Sequence, residues 1–494
     1  MLAWTIYLSF FGVLVLMLLP KGNARAARTV AMLSALAGLA VALAGFVQFK
    51  AGEILTVAKL PWVPSLGIEY HLAADGISLT MLLLTGLAAV TGILFSWNIE
   101  HRAKEFFAFY LALIGGVYGV FLSFDLFLLF VFYEIAIVPK YFIIAIWGST
   151  RKEYGAMKLA LYSFVGSAMV LVGLIAAYVV SGAHTFNVVE LAKYPFPHSF
   201  QMWAFPLVFV GFAILAGLWP FHTWAPTGHV AAPTAASMLL AGVVMKLGAY
   251  GCLRVAMTLF PDGLEAWKYV FAVLAVIGIV YGALVALVQK DFKFVIGYSS
   301  VSHMGFVLLG LMTLNTIGLS GAVLQMFSHG IIAGLLFAVV GRMVYERTHT
   351  RELALLEGMA LAKAIPFAAV TFVIASVASM GLPGFSGFVA ELQVIIGAWK
   401  TFPSLAVISG AGILIGVGYT LRVLQKAFFG EAKPVESEEE HHPLEPISIP
   451  ERIGAVLLIA VSLVIGLFPR LLLDVIVPSF DSPLFDWLRK GSGQ

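Results

Sequence analysis

Cysteine and charge are both scarce in this chain of 494 residues. Cys252 is the only cysteine, which excludes a disulfide framework, a cysteine-based zinc site and an iron–sulfur cluster. Only 11% of the residues are charged, whereas soluble domains have about 25%. The formal net charge of +3 is scattered along the chain, and no basic stripe indicates nucleic-acid binding.

Apolar residues dominate instead. They make up 61% of the chain, and the mean hydropathy of +0.99 indicates an all-α polytopic membrane protein. The first apolar stretch lacks a basic start and an A-x-A-like cleavage site, so we predict that it is retained as a span. We predict fourteen transmembrane helices, near 2–20, 27–49, 75–97, 106–123, 125–148, 157–181, 203–219, 231–253, 267–289, 292–313, 317–344, 365–398, 404–428 and 452–472.

Two longer polar segments interrupt the pattern. Segment 50–74 has two prolines and is predicted to be a loop, and segment 430–451 contains ESEEEHH and is predicted to be a solvated loop. Lys and Arg are concentrated in the loops after odd-numbered spans, which predicts that these loops face the cytoplasm. Fourteen spans then place both termini on the outer side of the membrane.

Two of the predicted spans contain helix breakers. Span seven runs into Pro220, Pro226 and Pro233, and span twelve is interrupted by GLPGFSG around Pro383. A kink filled by packing is the alternative for either break. A matched pair five spans apart favours two inverted five-helix repeats, spans 4–8 and 9–13. The predicted organisation is 1–105 for spans 1–3, 106–253 and 267–428 for the repeats, and 429–494 for the polar loop, span 14 and the tail.

Ionisable side chains inside the spans are the candidate functional residues. A charge at the bilayer centre costs at least about 2.5–3.5 kcal/mol, so it needs a reason to be there. Carboxylates, imidazoles and amines can pass protons once their environment moves their pKa values towards neutrality. We therefore predict a proton relay of Glu134, Lys140, Lys246, His303, His329 and Glu391.

Simpler alternatives exist for these residues. A lone intramembrane histidine can serve as a hydrogen bond between helices, and Glu134 and Lys246 can form a structural ion pair between spans. Lys290 and Lys293 lie at a cytoplasmic edge, where snorkelling to the interface is the default interpretation. Lys293, His222 and His229 are accessory candidates. No metal site is predicted.

Four stretches of the chain carry a resemblance to a known family: PFHTWAPTGHVAAPTAAS, KDFKFVIGYSSVSHMGFVLLG, YERTHTRELALLEGM and MGLPGFSGFVAEL. From about residue 70 to 430 the sequence resembles the antiporter-like membrane subunits of bacterial NADH–quinone oxidoreductase (complex I). Within them it resembles the M, or chain 4, type. Glu391 favours that type, because the sister subunits and multisubunit sodium–proton antiporters usually have Lys there. The chain also ends soon after span fourteen, without a long lateral helix.

The resemblance implies a role for each candidate. It implies that Glu134 couples neighbouring subunits through an ion pair and that Lys246 is the central lysine. His303 and His329 would be the polar residues of the central axis, and Glu391 the carboxylate on the exit side.

Two positions depart from the family pattern. The family usually has Lys five residues before PFH, where this chain has Leu215, and Asp where it has Thr227. The usual glutamate–lysine pair therefore cannot form. Our hypothesis is that Lys140 replaces the missing lysine. It lies six residues after Glu134, which separates the two by a rise of roughly 9 Å along a straight helix. Pro139 would have to kink the helix to close that gap; otherwise Lys140 faces the region beside span seven.

The resemblance also implies a function. The chain would be one proton channel of a redox pump, with no cofactor of its own. NADH, FMN, iron–sulfur clusters and quinone would belong to partner subunits, and its neighbours would be L-, N- and K-like subunits within the lipid bilayer. Three alternatives remain at this point: a sodium–proton antiporter subunit, a subunit of a membrane-bound hydrogenase or formate hydrogenlyase, and a structural spacer.

Overall fold

The computed structural model describes residues 1–20, 22–430 and 444–491. The run ESEEEHH, predicted to be a solvated loop, lies outside the described residues. The helices of eight residues or more in the described part are α1 (Trp4–Leu18), α2 (Ala24–Gln48), α3 (Gly76–Leu94), α4 (Ala103–Leu122), α5 (Leu126–Trp147), α6 (Lys152–Ser181), α7 (His198–Ala216), α8 (Trp224–Ala231), α9 (Thr234–Leu259), α10 (Pro261–Val288), α11 (Phe292–Met312), α12 (Thr316–Thr348), α13 (Pro366–Ser379), α14 (Ser386–Thr401), α15 (Pro403–Phe428), α16 (Ile449–Leu467) and α17 (Arg470–Ser479).

Each of the fourteen predicted spans overlaps at least one of these helices. Among the described residues, 12 helices are long and apolar enough to cross a membrane. The helices of the other two predicted spans are shorter: α1 has 15 residues, and span twelve is divided into α13 and α14, of 14 and 16 residues. The polytopic helical architecture is confirmed, whereas the count of fourteen spans stays a prediction.

Aspartate caps begin α5 and α11, the second helix of each predicted repeat. Asp125 Oδ1 accepts the backbone N–H groups of Phe127 and Leu128, and Asp291 does the same for Lys293 and Phe294. Such caps satisfy N–H groups that have no partner inside the helix. Each aspartate also forms an isolated β-bridge, to Asn187 and to Glu352 respectively. The two predicted repeats thus have the same local arrangement at these helix starts, as expected if the repeats are structurally related.

Both predicted helix breaks are present. Between α7 and α8 the chain turns at Gly217, which has φ +85°, and Trp224 Nε1 donates to the carbonyl of Ile214 in the last turn of α7 at 2.7 Å. Between α13 and α14 it turns at Gly381 and Gly384, with φ +74° and +104°. Conformations of this kind are accessible chiefly to glycine.

The four prolines named as helix breakers do not all break a helix. Pro220 and Pro383 lie within the two breaks, and Pro233 lies between α8 and α9. Pro226 instead lies in the first turn of α8, where the missing N–H costs nothing.

Segment 50–74 differs from the predicted loop. It contains an antiparallel hairpin of β1 (Leu55–Val63) and β2 (Ile68–Ala74), so the fold is not purely helical. The prolines that indicated a loop are tolerated because Pro61 lies at an irregularity in strand pairing and Pro64 begins the turn. Burial lowers the pKa of His71 in β2, and its Nδ1 lies 3.2 Å from the Asn187 amide. The hairpin therefore packs onto the ends of the helices.

Candidate functional site: a row of buried ionisable side chains

Lys246 lies in the middle of α9, a helix that is entirely buried within the described structure. Wider π-helical turns, Leu240–Val244 and Cys252–Ala256, lie on either side of it. Such turns occur frequently at functional sites. Gly330 allows α12 to approach α9 closely, since a Cβ there would lie only 2.6 Å from the carbonyl oxygen of Gly242. This approach brings Lys246 next to α12.

The Lys246 amine contacts an imidazole and a backbone carbonyl. Its Nζ lies 2.6 Å from His329 Nδ1 on α12 and also donates to the carbonyl of Ala241, one of the π-helical residues. No carboxylate of the described residues lies within 4.0 Å of it. The structural ion pair considered for Lys246 is therefore not present within the described ranges, and the direct partner of Lys246 is an imidazole that can accept a proton.

The row continues from His329 to α11 and α14. The ring centres of His329 and His303 are 5.5 Å apart, and His303 Nδ1 lies 2.9 Å from Glu391 Oε1. Gln325 Nε2 donates to the same oxygen at 3.2 Å, and Ser379 Oγ lies 3.2 Å from His303 Nε2. Four candidates that are distant in sequence thus form one row from Lys246 to Glu391.

The break between α13 and α14 shapes the Glu391 end of this row. Gly381 lies against that side chain, because a Cβ on this residue would be only 3.1 Å from Glu391 Oε2. Its positive φ also disfavours a larger residue. The break also ends α13 at Ser379, which contacts His303. The GLPG sequence is therefore part of the site.

Small cavities with a few polar side chains in their walls line the row. One of about 10 Å³ is bordered by His303, His329, Gln325 and Glu391, and a second of about 10 Å³ by His303, Glu391 and Tyr419. A volume of this size, about one water-sized sphere, holds one water where several polar partners are present. Bound water can therefore bridge the gap between the two imidazoles.

Glu134 and Lys140 lie apart from this row, on α5. Glu134 is partly exposed, whereas Lys140 is 1% exposed and its Nζ has no hydrogen-bond partner in the described part of the chain. The two side chains form no ion pair within 4.0 Å, so Pro139 does not close the gap between them in this structure. Tyr133, two turns before Lys140 on the same face, contacts Phe212 of α7 at 5.5 Å. Lys140 is thus on the side of α5 that faces span seven.

The accessory candidates are all buried. Snorkelling is the wrong interpretation for Lys293, which is 3% exposed and donates to the carbonyl of Ala232 at 2.6 Å. Lys293 is buried because it lies on the inner face of α11, against the segment that links α8 to α9. His229 stacks on Phe337 with ring centres 4.7 Å apart, and His222 lies 5.3 Å from the ring of Tyr281. Their ring nitrogens have no hydrogen-bond partner among the described residues.

Several buried polar residues were missed by sequence reasoning. Gln325, Ser379 and Tyr419 border the row, but uncharged residues of this kind carry no strong signal in a span. Arg254 and Asp75 form a buried pair at 2.6 Å, and both were overlooked because they lie at predicted span ends. Across the described ranges, no group of three or more His, Cys, Asp or Glu residues is placed to hold a metal ion.

Known proteins share both the sequence and the fold of this chain. A family profile described as "NADH:quinone oxidoreductase/Mrp antiporter, TM" matches residues 123–416. NADH-quinone oxidoreductase subunit M of Rhodobacter capsulatus is 37% identical over 450 residues, covering 88% of this chain and 86% of the relative. Subunit M of Escherichia coli strain K12 is 35% identical, covering 96% of each chain.

Solved structures agree with this result. A chain of respiratory complex I from Thermus thermophilus superimposes with a TM-score of 0.88 at 28% identity, covering 98% of this chain and 100% of that one. A chain of the Mrp complex from Dietzia sp. DQ12-45-1b has a TM-score of 0.83 at 23% identity over 99% of each chain, which shows a shared fold alone. The fold and the buried row define an antiporter-like membrane protein. The chain belongs to the NADH:quinone oxidoreductase/Mrp antiporter family.

Proposed function

We propose that this chain is the proton-translocating, M-type subunit in the membrane arm of a respiratory NADH–quinone oxidoreductase. The observation that carries the proposal is the row of buried side chains that runs from Lys246 through His329 and His303 to Glu391. Every member of the row can gain and lose a proton, and no member is more than 9% exposed. The relatives that are 35–37% identical over most of the chain are named as subunits of that enzyme, which supports the same assignment.

Proton transfer along the row would follow its contacts. The Lys246 amine passes a proton to His329 Nδ1, with which it is in hydrogen-bond contact. A water in the adjoining cavity passes the proton on to His303, and His303 Nδ1 passes it to Glu391. Gln325 and Ser379 hold Glu391 and His303 in position for these transfers.

Coupling to the rest of the complex is assigned to α5. A change of charge in a neighbouring subunit would act on the partly exposed Glu134 and, through it, on the protonation of Lys246. Lys140 takes the place of the family's span-seven lysine, whose position is occupied by Leu215 in this chain. Lys140 is buried, has no hydrogen-bond partner among the described residues and lies on the side of α5 that faces span seven. Such coupling exists only if the charge change in the neighbouring subunit and the protonation of Lys246 bias the same equilibrium.

The remaining proposals are supported by the family resemblance and, for the orientation in the membrane, by the distribution of Lys and Arg in the loops. Redox chemistry with NADH, FMN, iron–sulfur clusters and quinone belongs to partner subunits, and the immediate neighbours are L-, N- and K-like subunits. The chain is placed in a bacterial inner membrane with both termini on the periplasmic side.

NADH-driven proton pumping in inside-out vesicles tests this proposal. Lys246→Ala is compared with the wild type, and assembly is checked on a native gel. We expect an assembled complex whose pumping collapses. Unchanged pumping would mean that the buried charges are structural, and the chain would then be a spacer or a subunit of a non-redox antiporter.

A further inference from the structure

The same helix that carries Lys246 carries a second buried cation towards its C-terminal end. Arg254 NH2 lies 2.6 Å from Asp75 Oδ2 at the start of α3, and both side chains are 1% exposed. Arg254 Nε donates to Tyr250 Oη at 3.2 Å. Lys246, Tyr250 and Arg254 follow each other at four-residue intervals, so Arg254 lies about two turns beyond Lys246, between it and the end of the helix.

Several segments seal this end of the molecule around Arg254. Its guanidinium lies 5.0 Å from the ring centre of Phe124 and 5.9 Å from that of Phe485. Helix α17 closes over the start of α3, where Ser479 Oγ accepts the N–H of Gly76 at 2.9 Å. A Cβ on Gly76 would lie 2.0 Å from the carbonyl oxygen of Val475, so the two helices are in direct contact.

The chemistry of this pair stops a proton relay. Arginine stays protonated in proteins, so it cannot accept a proton from one side and release it on the other. Asp75 is held as the counter-ion of this arginine: its Oδ2 accepts from Arg254 and its Oδ1 accepts the N–H of Ser78. A fixed positive charge in a buried, aromatic-lined setting also repels an approaching proton. A relay along α9 could therefore reach Tyr250 but could go no further.

We propose that the Arg254–Asp75 pair blocks proton transfer from Lys246 straight along α9, so that protons leave Lys246 only sideways through His329, His303 and Glu391. This inference rests on the proposed role of Lys246 as a proton carrier. Arg254 contacts no member of the row in the described structure, so it acts on the direct path along α9 and not on the row itself. Without the block, a proton on Lys246 would have two exits, and the gradient would be lost through the direct one.

Passive proton permeability of the assembled complex in proteoliposomes tests the block. The main variant is Arg254→Lys with Asp75→Asn, which keeps a basic side chain and a capping residue but leaves a lysine that can release its proton. We expect the leak under an imposed potential, without NADH, to rise about tenfold, as a barrier lower by about 1.4 kcal/mol predicts. Adding Lys246→Ala should return it to the wild-type value.

A second variant and a matched control complete the test. Arg254→Gln leaves the Asp75 carboxylate free beside Tyr250 and should leak similarly. The control is Arg347→Lys with Glu451→Gln, the same exchange in another buried pair, which is 2.8 Å apart and does not involve α9. It should not leak.

The outcomes separate the two proposals. Wild-type permeability in either assembled Arg254 variant overturns the block, as does a leak that persists after Lys246→Ala. The proposed function itself fails only if Lys246→Ala alone leaves NADH-driven pumping intact, which is a separate measurement.

Discussion

Buried lysines and buried arginines occupy opposite electrostatic surroundings in this protein. The buried lysines of the described residues have no carboxylate within 4.0 Å: Lys140, Lys246 and Lys293. The buried arginines each contact one: Arg254 with Asp75 at 2.6 Å, Arg347 with Glu451 at 2.8 Å and Arg351 with Asp291 at 3.3 Å. The lysines contact carbonyls or an imidazole, or have no hydrogen-bond partner in the described part of the chain.

This difference follows the chemistry of the two side chains. Arginine is always charged, so burying it without a counter-charge would be very costly, and a carboxylate must accompany it. Lysine can lose its proton and exist as a neutral amine, so it can remain buried without a carboxylate. The described residues thus place fixed charges in pairs that hold helices together, and exchangeable charges without a carboxylate partner, one of them in the proposed proton path.

Breaking one of the fixed pairs should have the largest effect. Asp75→Leu leaves the Arg254 guanidinium buried without a counter-charge and should destabilise the subunit by about 3–5 kcal/mol. Thermal unfolding of the purified complex, with assembly yield, measures this. Asp75→Leu combined with Arg254→Met removes both charges and should restore most of the loss. Equal losses in the single and double variants would show that packing, rather than charge, holds α3 to α9.

Converting the exchangeable charge into a fixed one should have the next largest effect. Lys246→Arg keeps the positive charge but removes the ability to release a proton. NADH-driven pumping should fall by at least about tenfold, corresponding to about 1.4 kcal/mol or more, in an assembled complex. Lys268→Arg, on a partly exposed lysine paired with Glu265, is the matched control and should pump normally. Full activity in Lys246→Arg would contradict proton transfer through this amine.

Removing the unpaired lysine of α5 tests whether Lys140 belongs with the exchangeable group. Lys140→Met should stabilise the subunit, because an amine without a hydrogen-bond partner among the described residues costs about 1–3 kcal/mol to bury. It should also lower pumping by about fivefold, at the lower end of typical couplings between sites. Intact pumping in this variant would end the hypothesis that the lysine missing at Leu215 has moved to α5.

The smallest effect is expected at the polar residues that hold the row in place. Gln325→Leu removes one donor to Glu391 but leaves His303 in contact with it. The loss of about 1 kcal/mol should slow pumping by no more than about fivefold. Pumping rates in vesicles, with Gln289→Leu near the end of α10 as control, measure this. A complete loss would mean that proton transfer at Glu391 depends on the position in which Gln325 holds that carboxylate.

The sequence predicted the helices more completely than the site. Runs of about 20 apolar residues have few alternatives to a helix in lipid, and the glycine and proline clusters indicated both broken helices. Segment 50–74 was misjudged because its two prolines suggested a loop, whereas edge strands tolerate proline. Lys293 was misjudged because position along a helix does not reveal which face is covered by α8 and α9.

The sequence by itself determined that the chain is a polytopic helical membrane protein with broken seventh and twelfth spans and a few ionisable residues in its interior. These features can be predicted from sequence because hydropathy and the backbone effects of glycine and proline depend on residues that are close together in the chain. Only the tertiary structure decided that Lys246, His329, His303 and Glu391 form one row, that Glu134 and Lys140 stay apart, and that Arg254 is held by Asp75. These contacts join residues up to 179 positions apart, and they depend on how closely helices approach at residues such as Gly330.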